Sequence, residues 1–499
     1  MRHYLILFYA YIIDEYRRFL MFNNITIQFI FMPGFNNLRH FNAKARAYAQ
    51  FINAKNNVPA YKEFLETQKF KKPSFTRFSP NISEIPIIEK ENYIKQYPLK
   101  NRCVHGKIPT TGVVIDESSG SSGTPTNWLR GNKERGRNTK FIKFGMLKLF
   151  GKEPMFIINC FALGSWATGM NITMSCLTFA KVKSVGPDLD KIESTIKQFG
   201  ENHQYILMGY PPFLKYFVDQ TSLNLSKHNI SFIFGGESMS EGMRDYLLDK
   251  GVKKVYSSYG ASDLELNISS ENDFTISLRK ALRKHQKLRK KVLKYTGALP
   301  MIFQYNPADF LIEIKDNGEL ITTICRRDYV APKIRYNIHD KGQILQYNEL
   351  LEILKELNLT KEITPSKTDL PILMHYGRAD MTVSFFGSNI NPTDVQEAIY
   401  QLPELSKITN SFAIKVTEDS TGNKELIISI ELAENMPSKI ININDFKAKL
   451  FANLENVNSD FKKGNEMANN ENATKLLFYE YNTGSFAEND IRIKAKYFN

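Results

Sequence analysis

The sequence has few cysteines, and their arrangement excludes two common classes of protein. Four cysteines occur among its 499 residues, far apart and with no Cys-x-x-Cys pair: Cys103, Cys160, Cys176 and Cys325. The pattern lacks a zinc signature, and in a chain of this length it does not resemble the disulfide framework of a small secreted domain. We therefore predict a reducing, cytoplasmic location.

A long, uninterrupted apolar run is also missing, even in the first 41 residues, where apolar side chains are concentrated. The run at 4–13 is followed at once by charged residues and by no small-residue cleavage site. The run at 19–32 is interrupted by asparagine, threonine and glutamine, and neither run reaches the roughly 18–20 apolar residues of a spanning helix. Residues 1–41 are thus predicted to be an apolar N-terminal extension packed on the surface, without membrane association.

What the sequence does contain is an excess of basic residues and many aromatic ones. Lys and Arg number 66 against 52 Asp and Glu, a net charge of +14, and there are 35 Phe and 24 Tyr. This composition excludes collagen-like, mucin-like and acidic disordered classes and predicts a globular protein with large cores or pockets. The positive charge suits an anionic partner such as a nucleotide or coenzyme A, but solubility alone accounts for it equally well.

Short apolar strands alternate with amphipathic helices through the first half of the chain. The spacing predicts strands at 111–115, 155–159, 205–208, 230–234 and 252–257, and helices at 188–199, 212–220 and 240–250. Such alternation is typical of β-α-β units with a parallel sheet covered on both faces. A helical pattern also covers 42–67 and is broken at Pro59.

The pattern changes after residue 300. Hairpin strands are predicted at 310–314 and 319–325, and a smaller α+β unit beyond residue 378, in which the polar segment 462–474 is predicted to be mobile. The basic segment 278–293 predicts an amphipathic helix, either solvated or directed at an acidic partner. The predicted fold is therefore α/β, with a large N-terminal domain of mixed or parallel sheets covered by helices and a small, mobile α+β C-terminal domain.

A run of serines, glycines and threonines directly after the first predicted strand is the strongest local signal of a binding site. Residues 118–126 read SSGSSGTPT, which offers backbone N–H groups and hydroxyls to an anion, while glycine permits a close approach. No Gly-Lys-Ser/Thr closes the run, so it is not a Walker A loop, and its glycines do not have the spacing of a nucleophile elbow. The run predicts either a phosphate-binding loop or a flexible linker.

Three later segments place glycine and carboxylates after predicted strands: 256–265, 332–342 and 377–394. In the first, Tyr259 would supply a stacking surface and Asp263 an oxygen ligand for Mg²⁺. In the second, the carboxylate of Asp340 would accept both hydroxyls of a ribose. Taken singly, each segment is equally compatible with a turn, a structural aspartate or an ordinary loop between domains.

Together, in this order and spacing, the four segments resemble the adenylate-forming superfamily of acyl-CoA synthetases and ligases, and within it the phenylacetate–CoA ligase, or CapK-like, branch. The run at 118–126 matches that branch's phosphate loop. Gly235-Gly236-Glu237, with Arg244, matches its adenine-side segment, and the resemblance covers about residues 42–499.

The sequence departs from the family pattern at several positions. Ser262 and Asp263 stand for Thr and Glu of the aromatic-Gly-x-Thr-Glu motif, and His339 replaces the glycine of Arg-Tyr-x-x-Gly-Asp. In the hinge motif, Met381 replaces the second aspartate.

The resemblance implies a domain organisation and a catalytic lysine. A large domain at 42–376 would hold the ATP and acyl sites, and a small C-terminal domain at 377–499 would swing about a hinge at Asp380. The catalytic lysine is implied at Lys494, although the family's preceding glycine is missing and Lys496 is a near neighbour. A simple basic tail is the alternative interpretation.

The resemblance also implies the other site residues. Those for ATP or AMP are Ser118, Ser119, Gly120, Ser121, Ser122, Gly123, Thr124, Gly236, Glu237, Tyr259, Gly260, Ser262, Asp340 and Arg378. Those for the acyl pocket are Phe161, Trp166, Tyr210 and Gly235. Asp263 would act with Lys494 in catalysis and would hold Mg²⁺ through the phosphates.

The implied activity is ATP-dependent conversion of a carboxylic acid into an acyl adenylate, followed by transfer to a thiol, with coenzyme A as the expected co-substrate. An acyl carrier protein or an amine is the alternative acceptor. A degenerate nucleotide- or nucleic-acid-binding protein is the alternative from another class, although no nucleic-acid partner is expected. The identity of the acid and the choice between monomer and homodimer do not follow from the sequence.

Overall fold

Helices and short strands alternate along most of the chain in the computed structural model, which describes residues 1–117, 126–295, 297, 299–378, 383–386, 388–418, 424–436, 442–468, 473–487 and 497–498. The helices are α1 Arg2–Leu20, α2 Asn36–Asn57, α3 Pro59–Thr67, α4 Asn132–Phe150, α5 Ala167–Cys176, α6 Leu189–Phe199, α7 Pro211–Gln220, α8 Glu241–Asp249, α9 Asp273–Lys284, α10 Gln286–Val292, α11 Tyr347–Glu356, α12 Pro392–Tyr400, α13 Pro403–Ile408, α14 Ile443–Val457 and α15 Ser459–Ala468.

The strands are short and several pair far along the chain. They are β1 Phe75–Thr76, β2 Ser79–Pro80, β3 Val113–Glu117, β4 Asn127–Gly131, β5 Met155–Asn159, β6 Lys181–Ser184, β7 Gln204–Gly209, β8 Asn229–Gly235, β9 Val255–Tyr259, β10 Ser269–Ser270, β11 Met301–Tyr305, β12 Phe310–Ile314, β13 Glu319–Ile324, β14 Tyr336–Leu345, β15 Ile372–Arg378, β16 Val383–Phe385, β17 Ser388–Ile390, β18 Thr409–Glu418, β19 Lys424–Leu432 and β20 Thr474–Tyr479.

An eleven-stranded mixed sheet runs through the larger part of the molecule, in the order β12-β13-β14-β15-β11-β10-β9-β8-β7-β5-β6. In this spatial order, neighbouring strands from β9 to β6 pair in parallel. Neighbouring strands from β12 to β9, which include β13, β14, β15, β11 and β10, pair antiparallel. Every residue of β5 is buried, as expected for a parallel strand covered by helices on both faces. The predicted α/β fold with mixed and parallel sheets is confirmed.

Several helices begin where the sequence places a capping residue. The side chain of Asp188 accepts a hydrogen bond from the Lys191 N–H at 3.0 Å at the start of α6, and Ser240 does the same for Met243 at 3.1 Å in α8. Pro59 occupies the first turn of α3, where its missing N–H costs nothing. The predicted break in the helical segment 42–67 is confirmed, while its predicted start lies inside α2.

Helix α1 is attached to the larger part of the molecule by buried ion pairs. Arg46 Nη2 of α2 lies 2.6 Å from Asp14 Oδ1, and Arg17 Nη2 lies 2.5 Å from Asp309 Oδ2. A buried charge without its partner is strongly destabilising, so these pairs hold α1 in one position. In the part of the chain that the structure describes, no helix has the length and apolar character required to cross a membrane.

A second hydrophobic core lies beyond residue 383, around the three-stranded sheet β18-β19-β20 and helices α12 and α14. Phe461 of α15 is fully buried there, 6.2 Å between ring centroids from Phe451. The segment predicted to be mobile from 462 is helical as far as Ala468, and the aromatic residue just before it packs in this core.

The basic segment 278–293 also differs from its prediction. It forms two helices, α9 and α10, separated at His285. Arg279 is buried, and its Nη1 donates to Glu241 Oε1 at 2.7 Å and to the Met239 carbonyl at 2.9 Å. Part of the basic pattern thus belongs to an internal ion-pair network and not to a solvated or ligand-binding face.

Candidate functional site

A cavity of about 520 Å³ lies at the carboxyl ends of the parallel strands. Its wall includes residues at or just after the ends of β5, β7, β8 and β9: Phe161, Tyr210, Gly235 and Tyr259. Ligands of open α/β sheets bind in the crevice outside these strand ends. The cavity therefore occupies the position at which this architecture places a binding site.

All the sequence-predicted site residues that the structure describes lie on the wall of this one cavity. They are Phe161, Trp166, Tyr210, Gly235, Gly236, Glu237, Tyr259, Gly260, Ser262, Asp263, Asp340 and Arg378. The predicted hinge Asp380, the lysines Lys494 and Lys496, and Ser118, Ser119, Gly120, Ser121, Ser122, Gly123 and Thr124 lie outside the described residues.

The two ends of the predicted phosphate loop are held together by a hairpin. Strands β3 and β4 pair antiparallel, and Glu117 is the cross-strand partner of Asn127. Glu117 also lies on the cavity wall. The residue that precedes the predicted loop thus lies at the cavity, and the residue that follows the loop is its partner across the hairpin.

Asp340 lies at the centre of a polar group beneath the cavity. Its Oδ2 accepts a hydrogen bond from the Tyr259 hydroxyl at 2.6 Å, and His375 Nε2 lies 3.2 Å from the same oxygen. Burial alone would raise the pKa of Asp340, but His375, Tyr259 and the charge of Arg378 lower it below its ordinary value. Both of these contacts use Oδ2, and the lowered pKa keeps the carboxylate ionised at the cavity.

His375 is a member of this group that the sequence did not reveal. It lies on β15, which pairs with β14 so that His375 is opposite Gly342 and Arg378 is opposite Asp340. The pairing is interrupted by an irregularity between Lys341 and Gly342, which brings His375 next to the carboxylate. No sequence pattern links positions 340 and 375, because only the register of two antiparallel strands joins them.

His339 stands at the position where the resembled family has glycine. Its φ is +64°, in the left-handed region that favours glycine. Its Nδ1 lies 3.1 Å from Glu319 Oε1 on the neighbouring strand. Burial would raise the pKa of Glu319, but hydrogen bonds from His339 and its neighbours lower it to about 2. His339 therefore has a backbone conformation that ordinarily favours glycine, the residue of the resembled motif.

Asp263 provides a hard oxygen ligand on the cavity wall. The Tyr336 hydroxyl donates to its Oδ2 at 3.3 Å, and the Ser262 hydroxyl lies 3.3 Å from Oδ1. Within the described ranges no group of three or more His, Cys, Asp and Glu side chains is arranged to hold a metal ion. A single carboxylate fits Mg²⁺ that is shared with substrate phosphates, since this ion keeps most of its ligands from water and phosphate.

The apolar part of the wall is built from aromatic rings around Gly236. The rings of Phe161 and Tyr210 meet edge to face, with centroids 4.9 Å apart. Gly236 has a φ of +78°, and a Cβ there would lie 2.6 Å from Tyr210 Cε1. Glycine is therefore required both by the backbone and by the position of the tyrosine ring.

A group of buried cations surrounds Trp128 on β4. Lys333 Nζ lies 4.4 Å from the Trp128 ring centroid, and Arg102 Cζ lies 6.0 Å from the same ring. Burial, together with the charges of Arg130 and Arg102, lowers the pKa of Lys333 to about 7. The ammonium form of this lysine is thus costly inside the fold.

Replacing Lys333 by methionine is expected to stabilise the protein, and more so at pH 6 than at pH 9. Between the folded pKa of about 7 and the unfolded value of 10.5, the unfolded chain holds a proton that the folded chain has released. The cost of the lysine is therefore greatest below pH 7 and falls as the pH rises. We expect the gain in the free energy of unfolding to differ by at least about 1 kcal/mol between the two pH values, measured by urea denaturation.

The control for this prediction is Lys287→Met, because Lys287 is exposed on α10. It should change the free energy of unfolding little and equally at both pH values. A gain from Lys333→Met that is the same at pH 6 and pH 9 would contradict the lowered pKa.

The C-terminal end of the chain reaches the cavity. Tyr497 lies on its wall, and its hydroxyl donates to Glu237 Oε2 at 3.2 Å. The backbone there is held by the second core, because the Ile414 N–H donates to the Tyr497 carbonyl at 2.7 Å. The sequence analysis did not identify Tyr497 as a site residue, although it places the implied catalytic Lys494 three residues before it.

Helix α12 connects the second core to the larger part of the molecule. Gln396 Oε1 accepts from the Ser240 N–H at 2.7 Å, and Arg283 Nη2 lies 2.9 Å from Glu397 Oε1. Asn391 at the start of α12 also lies on the cavity wall. The cavity is therefore lined by both parts of the molecule.

The fold has counterparts among solved structures, although no protein-family model and no curated protein matches the chain. A crystal structure of 2-hydroxyisobutyryl-CoA ligase in the postadenylation state, in complex with R3-HIB-AMP, is similar with a TM-score of 0.67 and 15% identity, over 94% of this chain and 90% of that chain. The same ligase in the thioesterification state, in complex with 2-HIB-AMP and CoA, is similar with a TM-score of 0.55 and 14% identity, over 94% and 90%.

A third structure agrees with these two. An open conformation of the same ligase, in complex with 2-HIB-AMP and CoA, gives a TM-score of 0.53 and 14% identity over 91% of both chains. At this level of identity the matches show the fold alone. The chain has the fold of 2-hydroxyisobutyryl-CoA ligase.

Proposed function

We propose that this protein activates a carboxylic acid with ATP, forming an acyl adenylate and pyrophosphate, and then transfers the acyl group to a thiol. The observation that carries the proposal is the convergence of separate sequence segments, from Phe161 to Arg378, on one cavity at the strand ends. The fold it shares with an AMP-forming CoA ligase is a second, independent support.

The chemical difficulty of the first step is electrostatic. A carboxylate must attack the α-phosphate of ATP, and both groups are anionic. A positioned ammonium group between them would stabilise the transition state, where the charges are closest. We assign this role to Lys494, three residues before Tyr497.

Chain geometry supports the assignment. Three residues of extended chain span at most about 11 Å, so the Cα of Lys494 lies within that distance of the Tyr497 Cα. Tyr497 itself lies on the cavity wall. The position of Tyr497 on the cavity wall is therefore what supports the proposed role of Lys494.

The ATP site would combine the loop at 118–124 with the polar group around Asp340. Backbone N–H groups and hydroxyls of the loop would hold the β- and γ-phosphates. Asp340, with Arg378, would bind the ribose through its ionised carboxylate. Tyr259 would lie beside the adenine, and its ring is held by His375 and Phe303, with centroids 4.5 Å and 5.8 Å away. When bound, Mg²⁺ would neutralise phosphate charge, with Asp263 as its protein ligand.

We further propose that residues 42–376 and 377–499 are two domains, and that the smaller one turns about Asp380 between the two half-reactions. The contact of α12 with the start of α8, and the hydrogen bond from Tyr497 to Glu237, hold Tyr497 beside the proposed adenylation site. A rotation would withdraw Lys494 and admit the thiol.

Phe161, Trp166, Tyr210 and Gly235 would form the acyl pocket. Their aromatic surface favours an aryl or otherwise apolar acid, in agreement with the proposed phenylacetate–CoA ligase-like branch. Coenzyme A is the proposed acceptor. The alternative function, binding of nucleic acid, relied in part on the basic segment 278–293. It is less well supported, because Arg279 and Arg283 of that segment pair with acidic side chains.

Gly236→Ala is expected to lower the affinity for the acid by about tenfold or more, because the added methyl group displaces the Tyr210 ring. The measurement is the KM for the acid in ATP–pyrophosphate exchange. Gly200→Ala is the matched control, since Gly200 has a similar φ of +83° but no atom within 4 Å of the added Cβ. Equal effects of the two variants would mean that backbone strain, and not the pocket, is responsible.

The proposed function is tested by ATP–pyrophosphate exchange across a panel of aryl and aliphatic acids, with and without coenzyme A. We expect acid-dependent exchange with at least one apolar acid, and a thioester when coenzyme A is added. Exchange without formation of a thioester would indicate that the acyl acceptor is a carrier protein or an amine. Salt-dependent binding to DNA or RNA without any exchange would contradict the proposal.

A further inference from the structure

Large apolar side chains are exposed along one face of α1 and on the 3₁₀ helix Thr26–Phe31 that follows it. Of the 26 exposed large apolar side chains in the described part of the chain, 14 belong to the first 38 residues, so they are concentrated there. On α1 they are Tyr4, Leu5, Phe8, Tyr11, Ile12, Tyr16 and Phe19. Because residues three and four apart share a helix face, these side chains form one stripe. A contiguous stripe of this kind marks an interaction surface.

The opposite face of α1 is fixed to the protein. Ile6 and Ala10 are buried there, and Asp14 and Arg17 make the buried ion pairs with Arg46 and Asp309. Turning the exposed stripe inward would separate these pairs, which is strongly unfavourable. The stripe is therefore a permanent part of the surface.

Basic residues of α4 lie beside the segment 26–31. Phe31 stacks on Phe144 of α4 with centroids 5.1 Å apart, and Lys148 Nζ lies 5.4 Å from the Phe144 centroid. All exposed charged side chains of α4 are basic: Lys133, Lys140 and Lys148. The one acidic residue of this helix, Glu134, is buried.

In contrast to the prediction from the sequence, we infer that residues 2–31, which include α1, the exposed Phe22 and the segment 26–31, bind the surface of an anionic membrane. The stripe would enter the boundary between headgroups and acyl chains, where phenylalanine and tyrosine are favoured, and the lysines of α4 would face the anionic headgroups. A second copy of the chain is the less suitable occupant, since a symmetric contact would bring two basic surfaces together.

Helix α4 connects the segment 26–31 to the wall of the cavity. Phe141 of α4 packs on Phe31, with centroids 6.1 Å apart, and also lies on the cavity wall. Membrane binding through α1 would thus hold one wall of the cavity next to the bilayer. This geometry does not depend on the reaction that the cavity performs.

The test is flotation of the full chain with phosphatidylcholine vesicles, with and without about 30 mol % phosphatidylglycerol. We expect binding to the anionic vesicles that weakens as salt is added. Phe8→Ser with Phe22→Ser should lower the bound fraction about tenfold or more, since these side chains are 65% and 82% exposed. The matched control, Phe78→Ser with Phe199→Ser, changes two phenylalanines that are 53% and 47% exposed elsewhere and should leave binding intact.

A second pair of variants tests the charge. Lys140→Gln with Lys148→Gln should lower binding to anionic vesicles, while Lys287→Gln with Lys290→Gln on α10 should not. Absence of vesicle binding by the unaltered chain would overturn the inference. So would equal losses from the stripe variants and their controls, or a concentration-dependent dimer that Phe8→Ser with Phe22→Ser abolishes while vesicles remain unbound.

Discussion

Lys494→Ala is expected to reduce acid-dependent ATP–pyrophosphate exchange by at least about a hundredfold. The lysine is proposed to hold its ammonium group between the carboxylate and the α-phosphate, a contact that is strongest in the transition state. Its loss should therefore appear in kcat more than in the KM for ATP or acid. The same variant should still convert a preformed acyl adenylate into the thioester, because no anion attacks another in that step.

Lys496→Ala is the control for this expectation. The two lysines are two residues apart and carry the same charge, so a general effect of basicity would reduce exchange equally in both variants. A large loss in Lys496→Ala alone would move the catalytic role to that residue. Normal exchange in both variants would contradict the proposed mechanism.

Asp340→Asn is expected to weaken ATP binding by about 10- to 100-fold, the range for losing hydrogen bonds to a charged acceptor. Asparagine keeps an oxygen for the Tyr259 hydroxyl, so the polar group beneath the cavity should remain folded. The measurement is the dissociation constant for ATP by isothermal titration calorimetry, together with thermal denaturation.

Glu319→Gln is the matched control for Asp340→Asn. Glu319 lies on β13, the neighbour of β14, and is not on the cavity wall. The Glu319→Gln variant should leave the affinity for ATP unchanged, although it removes a carboxylate in contact with His339. Unchanged affinity in Asp340→Asn, or the same loss in both variants, would show that Asp340 does not bind the ribose.

The parallel part of the sheet could be predicted from local sequence because its signals are local. The buried run at 155–159 coincides with β5, and Asp188 and Pro59 stand where α6 and α3 begin. The carboxyl ends of parallel strands meet at one edge of a sheet. Tyr210 and Tyr259, which the resemblance to a family implied as site residues, lie at two such strand ends on one cavity.

The rest of the site depends on distant pairings. His375 reaches Asp340 only through the irregular register of β14 and β15, and Tyr497 reaches Glu237 only because the second core holds the end of the chain beside α8. The burial of Arg279 was hidden for a similar reason, since its partner Glu241 belongs to another helix. The charge of a segment does not reveal whether its partner is water or another part of the fold.

The most direct test of the central claim is detection of the acyl adenylate itself. The protein at a concentration comparable to that of ATP would be mixed with an accepted acid in the absence of coenzyme A, quenched, and examined by mass spectrometry. We predict an acyl-AMP formed in step with pyrophosphate and lost when coenzyme A is added. Hydrolysis of ATP without any acid-dependent AMP ester, across the whole panel of acids, would contradict the account.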